Sequence, residues 1–117
     1  MCEMFRESIG FNKDIGSWDT SSVTTMEKMF LGQSAFNQPL GDWRIDNVEY
    51  MNHMFFGARR FNQPLGKWRV DNVMSMYAMF HSAMSFNQPL GRWDVSSVTS
   101  MHGEYLHHPS AAVPTLT

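Results

Sequence analysis

The stretch FNQPLGDWRIDNVEYMNHMF at residues 36–55 is followed 25 residues later by FNQPLGKWRVDNVMSMYAMF at residues 61–80. A third copy begins at Phe86, and a looser first copy begins at Phe11, with Lys13-Asp14 in place of Gln-Pro. Repetition at one fixed period is typical of arrays in which a unit cannot bury its own apolar face and stacks on its neighbours. The repeat therefore predicts an array of stacked units, extended rather than globular.

Each unit contains two apolar periodicities. Trp43 and Ile45 alternate with polar residues, which predicts a short strand with inward side chains. Val48, Met51 and the Met54-Phe55 pair then follow at the spacing of one helical face. A strand followed by a helix in every unit gives a parallel sheet with right-handed crossovers. We therefore predict an α/β repeat solenoid, a leucine-rich-repeat-like right-handed coil with one short parallel strand and one short helix per 25-residue repeat.

Short polar residues and glycines flank the predicted helices. Asp46-Asn47 and Asp71-Asn72 stand before the apolar run, where their side chains can accept hydrogen bonds from helix amides. Gly32, Gly57 and Ser82 follow the run and are predicted as helix stops.

Two further columns of the repeat are aromatic and polar. The tryptophans are predicted to point inward, because they alternate in phase with the aliphatic residues of the strand; an exposed aromatic stripe that stacks on sugar rings is the alternative. The asparagines are predicted to form a buried ladder whose amides bond to the backbone. The columns are Trp18, Trp43, Trp68 and Trp93, and Asn12, Asn37, Asn62 and Asn87.

Length and composition define a modest domain. The 117 residues predict one array at residues 1–105, with about four repeats, a truncated first unit and a degenerate last one, followed by a disordered tail at 106–117. The net charge of −2 argues against nucleic-acid binding. No apolar run is long enough to span a membrane, and the first residues do not resemble a signal peptide. The localisation is not determined by these residues.

The sequence offers little for catalysis. The five histidines occupy different positions of the repeat, whereas a metal column would place one ligand at one phase. Cys2 is the only cysteine, and neither a nucleophile with a positioned base nor a phosphate loop can be assigned. We therefore predict a protein that is not an enzyme, with no metal site and no cofactor.

A charged face is the candidate binding site. If tryptophan points inward, the residues beside it point outward, and neighbouring strands about 4.8 Å apart would pair Asp19 with Arg44, Asp42 with Lys67, and Arg69 with Asp94. Such pairs either keep the face soluble, each contributing at most about 1 kcal/mol, or form a recognition surface for an acidic protein or glycan. The candidate face comprises Asp42, Arg44, Lys67, Arg69, Arg92 and Asp94, with Arg59 and Arg60 in the preceding link.

The repeat Phe-Asn-Gln-Pro-Leu-Gly-x-Trp-x-Val-x-x-Val-x-x-Met-x-x-Met-Phe resembles that of the BspA-like leucine-rich-repeat surface proteins. The likeness covers residues 1 to about 105. It implies a leucine-rich-repeat-like fold at a cell surface or in a secreted protein, with a role in adhesion or other protein contacts and without catalysis. The sequence departs from the repeat in residues 101–105, where Met-His-Gly-Glu-Tyr replaces Met-x-x-Met-Phe.

The sequence is compatible with three functions. The first is a module for protein–protein interaction or cell-surface adhesion, with a protein or glycan ligand of unknown identity. The second is a passive structural spacer within a longer surface protein. The third and weakest is a carbohydrate-binding or carbohydrate-active array. Open ends of such arrays expose strand edges, so end-to-end self-association is also predicted.

Overall fold

Hydrogen bonds between successive units define the backbone arrangement. The computed structural model describes residues 10–100. Main-chain amides at every second position donate to carbonyls of the next unit, 24 residues further along the chain. The bonds from Met26 to Tyr50, from Lys28 to Asn52, and from Phe30 to Met54 are each 2.9 Å long, and those from Met51 to Ser75, His53 to Tyr77, and Phe55 to Met79 repeat the pattern. The units therefore stack in parallel and in register.

Regular secondary structure is almost absent from residues 10–100. This part of the chain contains no α-helix and no continuous strand. Its β-structure consists of isolated parallel bridges that join Thr25 to Tyr50, Tyr50 to Ser75, and Ser75 to Ser100. The predicted α/β solenoid, with a strand and a helix in every repeat, is therefore wrong.

Successive tight turns occupy the segment that was predicted to be helical. The amide of Met54 donates to the carbonyl of Met51 at 3.2 Å, and that of Ala58 donates to Phe55 at 3.0 Å. The third residues of these two turns, His53 and Gly57, have positive φ angles of 57° and 73°, as a turn with a left-handed third residue requires. A turn brings its first and fourth residues together, so turns produce the i, i+3 apolar spacing that resembles a helical face.

The spacing between units explains why no helix forms. The rings of Phe30 and Phe55 are 5.5 Å apart, and those of Phe55 and Phe80 are 5.6 Å apart. Packed α-helices need about 8–10 Å between their axes. A helix in every unit would separate these stacked rings and break the main-chain hydrogen bonds that cross between the units.

The predicted strand is also misplaced. At Trp43 and Val48 the amides close turns within the unit, onto the carbonyls of Leu40 and Ile45. The amide of Arg44 does cross to the neighbouring unit, but it donates to the side-chain hydroxyl of Thr20. The regular series of main-chain bonds between units thus lies in the segment predicted as helix, and residues 43–45 form no strand.

Stacked aromatic rings fill the interior. Phe36, Phe61 and Phe86 form a column with 6.0 Å between ring centroids. Phe55, at the end of the second repeat's apolar run, also stacks on Phe61 of the next repeat at 4.3 Å. All these rings are fully buried, with the methionines of the repeat packed beside them. The recurring methionines and phenylalanines of the repeat therefore form the core.

The inward tryptophan is confirmed in three units. Trp43, Trp68 and Trp93 are at most 4% exposed, whereas Trp18 in the first unit is 36% exposed. Each buried indole Nε1 donates to a main-chain carbonyl 28 residues earlier, at 2.8–2.9 Å, as from Trp68 to Leu40. The aliphatic residues in phase with them are buried as well.

The asparagine column bonds to the backbone as predicted. Asn12 and Asn37 each accept a hydrogen bond from the main-chain amide of the next asparagine at 2.9 Å. Their side chains are nevertheless partly exposed, so the ladder lies at the surface and is not buried. Asn47 and Asn72 were predicted to cap helices, and they instead donate to carbonyls of the preceding unit.

The stacked units form a compact body. The Cα radius of gyration is 12.7 Å, with principal extents of 39, 31 and 20 Å, close to the value of about 13 Å for a compact domain of 100 residues. The predicted extended shape is therefore wrong. The predictions for Cys2, for the degenerate unit at 101–105 and for the tail at 106–117 lie outside the described residues.

Candidate interaction surfaces

Two adjoining pockets along the proline and glycine columns together form a groove that touches all four units. One half has a volume of about 470 Å³ and the other about 500 Å³, and the two halves share Pro64 and Lys67. We call this the Pro-Gly groove. Its lining comprises Asp14, Gly16, Ser17, Pro39, Gly41, Asp42, Pro64, Gly66, Lys67, Gln88, Pro89, Gly91 and Arg92.

The groove carries negative charge at one end and positive charge at the other, and Lys67 lines both halves. Asp14 and Asp42 line the half formed by the earlier units, and Arg92 lines the half formed by the later ones, with Lys67 between them. Within the described part of the chain, the side chains of Asp42, Lys67 and Arg92 make no hydrogen bond and no ion pair. These three charges are therefore available to a ligand.

Only part of the predicted charged face lies in the Pro-Gly groove. All eight of its residues are exposed, but only Asp42, Lys67 and Arg92 line the Pro-Gly groove. Arg59 and Arg60 line neither half of it, and the same holds for Arg44, Arg69 and Asp94. Whether the face binds a partner remains a prediction.

The ion pairs on this face differ from the predicted ladder. Arg44 pairs with Asp46 at 3.3 Å and Arg69 pairs with Asp71 at 3.4 Å, each within its own unit. Among residues 10–100, Asp42 and Lys67 do not form the predicted pair, nor do Arg69 and Asp94. A carboxylate two residues away along the same chain is closer than one on the neighbouring unit.

Serines bind two carboxylates, Asp94 of the face and Asp19 near it. The hydroxyl of Ser21 donates to Asp19 at 2.6 Å and its amide donates at 3.0 Å, so the pKa of Asp19 lies below its ordinary value of 3.8, with a smaller contribution from the charge of Arg44. The side chain and the amide of Ser96 lower the pKa of Asp94 in the same way. Both carboxylates therefore stay ionised in mildly acidic solution.

An aromatic patch covers part of the segment that carries the main-chain ladder. The imidazole of His53 lies 5.4 Å from the ring of Tyr77 and 5.6 Å from that of Phe56, and Phe56 lies 4.9 Å from His81. Tyr77 is 40% exposed, and the other three rings are partly or largely accessible. We call these four residues the aromatic patch.

Sequence reasoning did not find this patch. His53 and His81 occupy different positions of the repeat, so their spacing gave no reason to expect them in one cluster. The usable signal was that Phe56 and His81 share one column and are 25 residues apart, so in-register stacking brings their rings together. Within residues 10–100, no group of three or more His, Cys, Asp or Glu side chains converges as metal ligands.

Comparison with known proteins gives one result. Over residues 1–112 the chain matches the family described as "Mycoplasma protein of unknown function, DUF285". The chain belongs to this family, whose function is not characterised. No curated protein and no solved structure matches the sequence.

This match bears on the resemblance drawn from the repeat. It supports membership of an uncharacterised repeat family and gives no specific evidence for the BspA-like leucine-rich-repeat proteins. In the described part of the chain, no helix is long and apolar enough to cross a lipid bilayer.

Proposed function

We propose that this chain is a non-catalytic module for protein–protein interaction, and that the aromatic patch is its main contact surface. Contiguous exposed apolar surface is typical of interaction sites, and tyrosine and other aromatic residues are enriched at the centres of interfaces. The continuous ring contacts from Tyr77 through His53 and Phe56 to His81 are the observation that carries the proposal.

The backbone beneath the patch supports the same proposal. His53 and Phe55 donate main-chain hydrogen bonds of 2.9 Å to Tyr77 and Met79 of the next unit, while Met54 and Phe55 between the exposed rings are fully buried. A surface anchored in this way loses little conformational freedom when a partner binds. The patch is therefore suited to recognition by fixed side chains.

A location at the cell surface is part of the proposal. It rests on the likeness of the repeat to BspA-like surface proteins and on membership of a family of Mycoplasma proteins. Adhesion to an extracellular protein is the form of interaction that this location favours. A passive spacer is the alternative, in which neither the patch nor the charged face selects a partner.

A binding screen at two salt concentrations tests the function. The purified chain would be applied to extracellular-matrix proteins and to a glycan array, first at about 0.15 M and then at about 1 M salt, where charges are screened beyond about 3 Å. Binding through the patch is expected to persist at high salt, whereas binding through the arginines and lysines is expected to be lost. No binding by folded protein in either array would favour the spacer.

Matched variants then locate the contact. Tyr77→Ser is expected to weaken binding to the identified partner by about tenfold or more, as removal of a central aromatic residue does. Tyr50→Ser is the control, because Tyr50 is equally exposed at 40% and makes no ring contact within residues 10–100. Equal loss in both variants, or no loss in Tyr77→Ser, would contradict a role for the patch.

A further inference from the structure

We infer that the Pro-Gly groove is a second and independent binding site, which takes an extended peptide segment with positive charge at one end and negative charge at the other. The inference does not depend on the aromatic patch, because none of the four patch residues lines the groove. It rests on the length of the groove, on the distribution of charge along it and on the finding that the side chains of Asp42, Lys67 and Arg92 have no partner within residues 10–100.

The dimensions of the groove suit a short peptide. Neighbouring units are about 6.0 Å apart at their phenylalanine rings, so four units span roughly 18 Å, the length of five or six residues of extended chain. The groove remains open to solvent along its length, so both ends of a longer chain can leave it.

The charges of the groove specify the polarity of its ligand. A cationic side chain fits beside Asp14 and Asp42, and an anionic side chain fits between Lys67 and Arg92. The carboxylate of Asp14 already accepts the amide of Gly16 at 3.0 Å, which fixes its position. Asp42, Lys67 and Arg92 have no partner in residues 10–100, in contrast to Arg44 and Arg69, whose guanidinium groups bind carboxylates of their own units.

The lining favours a peptide over a glycan. Among residues 10–100, no aromatic side chain lines either half of the groove, so this part of the chain offers no ring on which a sugar could stack. An acidic glycan would use only Lys67 and Arg92, and a basic one only the two aspartates. A polypeptide is the common biological polymer that carries both charges within five or six residues.

Labelled hexapeptides test the inference on the full chain. The first peptide carries two lysines at one end and two glutamates at the other, the second carries only the lysines, and the third only the glutamates. The bipolar peptide is expected to bind about tenfold more tightly than either of the others, because only it satisfies both halves of the groove. Equal binding of the bipolar and acidic peptides, or no binding of any peptide, would overturn the inference.

A charge-reversal variant adds a gain of binding that unfolding could not produce. Lys67→Glu combined with Arg92→Glu makes the groove acidic throughout. This variant is therefore expected to lose about tenfold in affinity for the bipolar peptide and to bind the peptide that carries only the lysines more tightly than the parent does. Arg44→Glu combined with Arg69→Glu changes the net charge equally outside the groove and is expected to leave both affinities unchanged. A control variant that behaved like the groove variant would show an effect of net charge alone and would overturn the inference.

Discussion

Gly16 lies directly against the carbonyl of Pro39 in the next unit. A Cβ atom added to Gly16 would stand 2.9 Å from that carbonyl oxygen, closer than side-chain carbons approach a backbone oxygen. The equivalent distance is 3.3 Å between Gly66 and the carbonyl of Pro89, and a Cβ added to Gly91 would meet no atom of residues 10–100 within 4 Å. Glycine is therefore needed where successive units approach most closely, as they do at Gly16.

Alanine variants at three of these glycines test how closely the units pack. Gly16→Ala is expected to lower the free energy of unfolding by about 1–3 kcal/mol, because the backbone of Pro39 must shift. Gly66→Ala should cost less, and Gly91→Ala should be neutral or stabilising by about 0.4–1 kcal/mol through its effect on the unfolded chain. Denaturant unfolding of the three variants measures their free energies of unfolding and so ranks them. Equal effects at all three sites would contradict the graded distances between each glycine and the next unit.

Ser82 occupies a position that suits glycine. Its φ angle is 61°, and the corresponding residues of the two preceding units are Gly32 and Gly57, with φ angles of 70° and 73°. Left-handed backbone costs a residue with a Cβ about 1–2 kcal/mol. Ser82→Gly is therefore expected to raise the free energy of unfolding by about 1 kcal/mol, whereas Ser85→Gly, without positive φ, should lower it. Thermal unfolding measures both changes in stability, which are expected to have opposite signs. A change of the same sign in both variants would contradict the role of the positive φ angle.

The buried indoles contribute hydrogen bonds as well as apolar contact. Nε1 of Trp68 donates to the carbonyl of Leu40 at 2.8 Å. Trp68→Phe keeps a ring in the core and removes this hydrogen bond, while the amide of Trp43 still donates to the same carbonyl at 3.1 Å. The loss of one hydrogen bond is expected to cost about 0.5–1.5 kcal/mol. Tyr50→Phe removes a polar hydrogen from an exposed ring and should change stability by less than about 0.5 kcal/mol. Denaturant unfolding measures the free energy of unfolding of both variants. Similar losses of stability in the two would argue against a contribution from the indole hydrogen bond.

The core columns could be predicted from the sequence, and the backbone could not. Strict recurrence identified Phe55, Met54 and Trp68 as interior, because any in-register stacking buries the positions that stay apolar. The same recurrence could not distinguish turns from helix, since Met51 and Met54 are three apart in both. The deciding features are the positive φ of His53 and the distance of about 5.5 Å between stacked rings, and neither is marked by residue type, because histidine, lysine and alanine all occupy that column.

The candidate sites were predicted in part. Asp42, Lys67 and Arg92 were expected to be exposed at a 25-residue spacing, and the structure places them in one groove. Their separation from Arg44 and Arg69 could not be foreseen, because alternation along a strand would have put all five on one face. The turn from Leu40 to Trp43 breaks that alternation.

Acid should weaken the fold through Asp94. Hydrogen bonds from Ser96 lower the folded-state pKa of this carboxylate below 3.8, so its contribution to stability is fully present above the unfolded pKa and is lost as the pH falls through the folded pKa. Ser96→Ala removes the hydroxyl and is expected to raise the pKa of Asp94 toward 3.8, as measured by NMR titration of the carboxyl carbon. The control is Ser97→Ala, which should leave that pKa unchanged; a shift of equal size there would refute the role of the hydroxyl.

The central structural claim is that the methionine-rich segment bonds to the next unit and does not coil into a helix. Scalar couplings across hydrogen bonds, measured by NMR on labelled protein, test it most directly. The structure predicts a coupling from the amide of Phe55 to the carbonyl of Met79, which are 2.9 Å apart and belong to different units. A coupling from the same amide to the carbonyl of Met51, four residues earlier as in an α-helix, would contradict the claim.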